Sequence, residues 1–344
     1  MEPSMTEITR IAIDTSKSVF TLHGTDDAGR AVLRRNLRRR DLVGFFEKLP
    51  PVEVAVEACG GSHHWGRLLT GLGHRVRLIP AQYVKPFVKR AKNDRNDAEA
   101  ISEAASRPSM HTVPIKSAEA QASAMLLTVR ELLVRQRTQL VNALRGHAAE
   151  FGLVAAKGDK GLAALRREIA GTEDLPAAAR QALELLGGEV DRLEARLAPM
   201  EKALMAQHKA NGVSRLLAEI PGVGPLGALN FALRVDAGQF RSGRHFAAWL
   251  GLVPKERSTG GKQRLGAISR AGDERLRQLL VLGATAVIQH AKPGRNSACA
   301  WLMALLKRKP RKLAAVALAN KMARIIWAML TSGEAYRQPT PVAP

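Results

Sequence analysis

ITRIAID at 8–14, VEVAVE at 52–57 and NDRND at 93–97 decide how this chain is read. The first is a short apolar run closed by an acid, Asp14. The second alternates apolar residues in the manner of a strand and closes on another acid, Glu57. The third sets Asp94 and Asp97 three residues apart, which puts both on one face of a helix. Working outward, 18–24 reads as a second strand, Asp27-Ala28-Gly29 as a hairpin turn and 31–37 as a third strand. An amphipathic helix follows at 41–49, a strand at 52–57, a helix at 65–72 and a strand at 75–79 stopped by Pro80.

Three strands joined by hairpins, then helix, strand, helix, strand, helix, is the connectivity expected of an RNase H-like α/β domain, assigned to 1–115. From 117 to about 153 the pattern becomes a long helix, with Leu126, Val129, Leu133, Leu140 and Leu144 at helical spacings. A second long helix runs from about 175 to 209, joined to the first near 158–171. The pair, within 116–210, reads as an antiparallel arm that either holds a partner or packs on the body. The last part, 211–344, is mainly helical, interrupted by a Gly- and Lys/Arg-rich loop at 251–272. The expected class is therefore α/β plus α.

The 344 residues carry 53 Lys and Arg against 31 Asp and Glu, a net charge of +22. Such an excess points to a polyanion, and nucleic acid is the natural one. The basic runs 34–40 and 307–312 are expected to touch nucleic-acid backbones, with steeply salt-dependent binding. Cys59 and Cys299 are too far apart and too unlike in context for a disulfide framework or a metal knuckle, so a reduced cytoplasmic setting is expected. No signal peptide is read at 1–10, and the apolar stretch 313–330 contains Lys321 and Arg324, so no membrane span is expected.

Asp14 and Glu57 end strands that would be neighbours in this topology, and Asp94 and Asp97 open the helix after the last strand. Converging, the four form a cluster of hard oxygen ligands suited to Mg²⁺ or Mn²⁺ rather than zinc. Two such ions can activate an attacking oxygen and steady the leaving oxygen of a phosphodiester. A plain helix start is the bland reading of Asp94 and Asp97. His63 and His64 find no Cys or His at ligand spacing and are read as residues of a loop or helix start.

Ile220-Pro221-Gly222-Val223-Gly224 lies between helical stretches as in a helix-hairpin-helix, where Gly222 and Gly224 let backbone N–H groups approach a phosphate; a plain tight turn is the alternative. In the 251–272 segment, Ser258 and Thr259 stand beside Gly260 and among Lys255, Arg257, Lys262 and Arg264. Cations there can neutralise phosphate and the charge of phosphoryl transfer. Two readings of Ser258 stand on spacing alone: passive phosphate binding, or attack on phosphorus to store the bond energy as a phosphoserine.

IAIDTSK (11–17), VEACGG (56–61), KNDRNDAEAI (92–101), IPGVG (220–224) and GLVPKERSTGGKQRLGAISRAG (251–272) together resemble the DEDD-type insertion-sequence transposases related to the Piv DNA invertases. The resemblance covers nearly the whole chain and implies a RuvC-like N-terminal fold. By it, the metal-binding acids fall on Asp14, Glu57, Asp94 and Asp97 and the nucleophile on Ser258. It further implies donor and target DNA as substrates and a structured non-coding guide RNA that pairs with both. A dimer assembling to a tetrameric synapse is implied too, with the acids of one protomer meeting the serine of another, in a prokaryotic, nucleoid-associated setting. Two departures are Thr259, where a second serine or a glycine is usual, and His63-His64, where an aromatic is common. A RuvC-like nuclease or junction resolvase, in which water attacks and Ser258 only holds phosphate, is the alternative.

Overall fold

A computed structural model describes residues 8–89, 93–291 and 300–337, so Lys92 and Cys299 lie outside the described residues. The chain divides into two compact units, 1–121 and 122–344.

The first unit is built on strands β1 (Arg10–Asp14), β2 (Val19–Thr25) and β3 (Ala31–Arg38), followed by a 3₁₀ turn and helix α1 (Leu42–Phe46). Then come β4 (Glu53–Glu57), α2 (Ser62–Gly71), β5 (Arg75–Ile79), a single turn α3 (Ala81–Val84) and α4 (Asp94–Ser106). The sheet order is β3-β2-β1-β4-β5, with β2 antiparallel to both neighbours and β1, β4 and β5 parallel. This is the expected connectivity, with elements starting or stopping within a few residues of their expected bounds. Helix α2 starts earlier than expected, so His63 and His64 belong to its first turn.

Alternation along the strands sorts the two faces of the sheet. Ile11 and Ile13 of β1 and Val54 and Val56 of β4 point into a core with Phe20, Phe46, Trp65 and Leu69, covered by α1 and α2. The other face presents Ala12 and Ala55 to Ala100, Ile101, Ala104 and Ala105 of α4. Small residues on both sides let the helix lie close against β1 and β4, and that closeness sets where its N-terminus falls. The same face carries an ion cluster around the buried Glu53 at the opposite strand ends. Arg10 and Arg75, the register partners of Glu53, each lie 2.6 Å from its carboxylate, and Arg77 lies at 3.4 Å. Burial by itself raises the Glu53 carboxyl, but the three guanidiniums outweigh it and hold the group below its ordinary range.

The second unit begins with the arm. Helix α5 (Ala118–Ala149), which starts just before the unit boundary, is followed by α6 (Asp159–Gly171) and α7 (Ala177–Ala210). The joint expected near 158–171 is a 13-residue helix. Its Leu162, Leu165 and Ile169 close an apolar cap with Leu144, Ala148, Leu183 and Val190. Arg137 pairs with Glu194 and with Asp159, Arg130 pairs with Glu201, and Leu127 packs with Leu204. Rising numbers on α5 meet falling numbers on α7, so the two long helices are antiparallel as expected.

Beyond the arm lie α8 (Gly212–Leu217), α9 (Pro225–Arg234), α10 (Gly243–Trp249), strands β6 (Pro254–Glu256) and β7 (Leu265–Ile268), α11 (Glu274–His290), α12 (Ala300–Arg308) and α13 (Arg311–Ser332). Phe231, Phe246, Leu280, Met322 and Ile326 lie at the centre of their shared core. Helix α13 is long and apolar enough to cross a membrane by length and composition, yet it carries Lys321 and Arg324 and buries Ala319, Met322, Ala323 and Ile326 in that core. It is a core helix of this unit.

Candidate active site

Two places carry the residues singled out by sequence, one in each unit. In the first unit, strand periodicity continues the Ala12 and Ala55 face one step further, to Asp14 and Glu57 at the C-terminal ends of paired parallel strands. Asp94 and Asp97 occupy the first turn of α4, which lies over that same face. The cap of this helix is Asn93, whose side chain accepts the Asn96 N–H at 2.8 Å. Capping is therefore not the work of Asp94 or Asp97, and both carboxylates remain for other use.

Oxygens of Asp14, Asp94 and Asp97 lie within 4.8 Å of one another. Glu57 is outside that trio but close enough to act on it. The Asp14 carboxyl is pushed up to about 6 by burial first, and then by the charges of Asp97, Asp94 and Glu57. Mutual repulsion of this kind marks a site short of positive charge. Its donors are all carboxylate oxygens, the ligand set that suits a hard divalent cation. His63 and His64 stay out of the cluster: His63 accepts the Lys116 N–H at 3.3 Å, and His64 packs edge-on against Trp65. Near the acids, Thr15 Oγ1 and Cys59 Sγ are 3.2 Å apart, a contact between residues 44 positions apart that no local pattern marks.

In the second unit, the segment expected as a loop is a β-hairpin. Strands β6 and β7 pair antiparallel, and the Lys262 N–H bonds to Thr259 O across a turn whose central residues, Gly260 and Gly261, both have positive φ. A two-residue hairpin of this kind demands left-handed φ at both positions, which is why two glycines stand there. Gly-Gly between strand-like flanks was the available signal for this hairpin.

Ser258 sits one residue before the turn, exposed, and its Oγ accepts the Arg264 N–H at 3.1 Å. Accepting in this way leaves the hydroxyl proton free to be given up. Thr259 is exposed as well. Lys255, Arg257, Lys262 and Arg264 surround the tip, all exposed, and none is in an ion pair among the described residues.

The base of the hairpin is as firm as its tip is open. Gly251 and Gly272, both at positive φ, press against the backbones of Ala271 and Trp249, where an added Cβ would lie 2.4 and 1.9 Å from main-chain atoms. The buried Arg277 of α11 donates to Leu250 O at 3.1 Å and Ala271 O at 2.7 Å, tying the two ends of the segment together. Sequence reasoning missed Arg277, because one arginine in a basic helix carries no local mark.

Gly222 and Gly224 form the turn between α8 and α9, as expected. Gly222 has positive φ, and its carbonyl lies so close to Gly283 of α11 that a Cβ there would stand 2.0 Å from it. Tight helix packing is thus a use of Gly222 that sequence did not anticipate. Gly224 has open space around its Cβ position and immediately precedes the N-terminus of α9.

Comparison with known proteins matches residues 214–298 to a family model described as "Transposase IS116/IS110/IS902 family" and residues 11–151 to that of the DEDD transposases of IS110, described as "Transposase". A Sinorhizobium fredii protein named as a transposase (y4pF/y4sB) is 55% identical over 98% of this chain and 88% of its own length. The transposase for insertion sequence element IS1111A of Coxiella burnetii is 41% identical, covering 97% and 93%. That for insertion sequence element IS1328 of Yersinia enterocolitica is 37% identical, covering 96% and 99%.

Proposed function

Because this chain belongs to the IS116/IS110/IS902 family of insertion-sequence transposases, we propose that it cuts and rejoins DNA through Ser258, assisted by divalent cations at Asp14, Glu57, Asp94 and Asp97. A DNA transposase needs a strand-breaking and a strand-joining step, and one exposed hydroxyl serves both. The observation that carries this reading is the hairpin itself: Ser258 held one residue from a Gly-Gly turn, on a clamped base, among four cations that form no ion pair among the described residues.

Attack of Ser258 Oγ on phosphorus forms an O–P bond and breaks the bond to a deoxyribose oxygen. The serine gives up its proton and the departing oxygen gains one. Attack by a deoxyribose hydroxyl of the new strand reverses these changes and frees the serine, so the phosphodiester energy is conserved without an external source. Lys255, Arg257, Lys262 and Arg264 neutralise the phosphate during both steps. Asp14, Glu57, Asp94 and Asp97 would hold a divalent cation, Mg²⁺ or Mn²⁺, which would supply Lewis-acid stabilisation of the phosphate charge, and the RuvC-like reading of their domain rests on the sheet order and the DEDD family match.

The same reading takes 1–115 as the carboxylate domain, 116–210 as an arm for assembly and 211–344 as the serine domain. Acids and serine meet across protomers of a dimer that pairs into a tetramer on donor and target DNA, with a structured RNA of the element choosing both sites. The net charge of +22 supports nucleic-acid partners of this bulk.

Denaturing gels of full-length protein incubated with nicked DNA test the chemistry. A covalent protein–DNA adduct is expected, absent in Ser258→Ala. An undiminished adduct in that variant, or free ends that never rejoin, refutes it and favours a water-using nuclease. Sequencing of copurifying nucleic acid tests guidance, with one structured RNA expected and a random mixture overturning it.

A further inference from the structure

We propose that the cavity beside the serine hairpin, between β7, α12 and α13, is a subsite for one unpaired nucleotide of the DNA strand presented to Ser258. The proposal rests on the reading that this hairpin engages DNA, and adds to it a second contact that holds the strand by a base.

The cavity, about 1170 Å³, has a mainly apolar wall, to which Trp301, Leu313 and Ile268 contribute. Trp301 is 38% exposed and Leu313 57%, so both large apolar side chains face water at the cavity. Arg244, Lys321 and Arg324 also line it. None of the three is ion-paired among the described residues, and Lys321 Nζ sits 4.7 Å from the centroid of the Trp301 ring.

A flat apolar wall with unneutralised cations matches the two halves of a nucleotide, a base with π faces and a phosphate. Stacking on aromatic side chains beside a cationic track is how single strands are commonly held. A base inside a duplex has no free face to offer, so the occupant is an unpaired one. A second copy of the chain suits the cavity less well. It carries a net charge of +22, and pressing it here would bury three cations against a cationic protein.

Position supports the assignment. Pro254, Gly266, Ala267 and Ile268, at the base of the hairpin, form one side of the cavity. Ser258 lies four residues beyond Pro254, at most about 14 Å along extended chain, or about four base-pair rises of a DNA strand. A base lodged in the cavity would therefore fix which phosphate reaches the serine.

The test compares binding of full-length protein to a short duplex and to the same duplex with one unpaired 2-aminopurine. Tighter binding of the unpaired probe by about tenfold is expected, with its fluorescence changed on binding. Trp301→Leu and Arg324→Gln should each reduce this preference at least about threefold, and Trp301→Phe should keep it. Light-induced crosslinks from an unpaired 5-iodouracil should map to Trp301 or its neighbours in the cavity. Equal affinity for both probes, an unchanged preference in both variants, or crosslinks confined elsewhere overturns the proposal. So does a Leu313→Asp variant that sediments as a smaller species with the preference intact, since the face would then be a contact between copies. Ser258→Ala separates the two readings: it should lose the adduct while keeping the preference for the unpaired base.

Discussion

Replacing Asp14 by Asn removes one charge from a cluster in which three carboxylates lie within 4.8 Å, while keeping the side chain's size. The carboxyl stands at about 6 rather than its ordinary 3.8, so the folded unit holds this proton more firmly than the unfolded chain does. At ~1.4 kcal/mol per tenfold that displacement amounts to about 3 kcal/mol. Asp14 is partly exposed, and solvent screening reduces the figure to about 1–2 kcal/mol. The sign follows from the raised value: the stabilising contribution is complete below pH 3.8 and is lost as pH rises through about 6. Asp14→Asn should therefore be more stable than wild type by about 1–2 kcal/mol near pH 8 in a chelator, and the gap should close toward pH 4. Urea unfolding at several pH values measures it. Adding Mg²⁺ should then reverse the ranking, because binding at a hundred times Kd stabilises wild type by about 2.7 kcal/mol and the variant by less. A variant less stable than wild type in chelator near pH 8, or a gap that ignores pH, would refute the picture of repelling acids.

Three further perturbations probe the scaffold around both places. Gly283→Ala puts a methyl 2.0 Å from the Gly222 carbonyl and should cost about 2–3 kcal/mol in urea unfolding; a cost under about 0.5 kcal/mol would show that the helices are not so close. Glu53→Gln leaves Arg10, Arg75 and Arg77 without their shared carboxylate and should cost about 1.5–3 kcal/mol at neutral pH, the scale of hydrogen bonds to a charged group. Because the Glu53 carboxyl is held low, wild type should lose that advantage as pH falls through its folded value, which unfolding in acid checks. Gly261→Val forces a branched side chain into positive φ at the hairpin tip, at a local cost of about 1–2 kcal/mol. Adduct formation should fall sharply while the melting temperature barely moves, and a large drop in melting temperature would contradict the independence of tip and base.

The N-terminal sheet was legible because its signals are local. Alternation in IAID and VEVAVE names the buried face, and a period of two carries Asp14 and Glu57 to the face opposite Ile13 and Val56 whatever else the chain does. The spacing of Asp94 and Asp97 likewise needs only the helical repeat. The hairpin at 254–268 reads as a loop because its strands are only three and four residues long and almost wholly exposed, leaving Gly260-Gly261 alone to announce it. The helix Asp159–Gly171 is short, and only the joint that it forms between the two long helices is legible in the sequence.

Residue type and spacing within single elements are enough to single out the four acids, the glycine turn and Ser258 as candidates. Tertiary structure decided how far they converge. Alanines on α4, β1 and β4 allow a close approach, and that approach brings Asp94 and Asp97 to Asp14 while leaving Glu57 just outside the trio. It also decided that Gly222 serves Gly283 and that Arg277 clamps the serine hairpin, because both depend on how α11 packs against segments outside itself. Local periodicity cannot encode a contact whose partner is set by the packing of the whole unit.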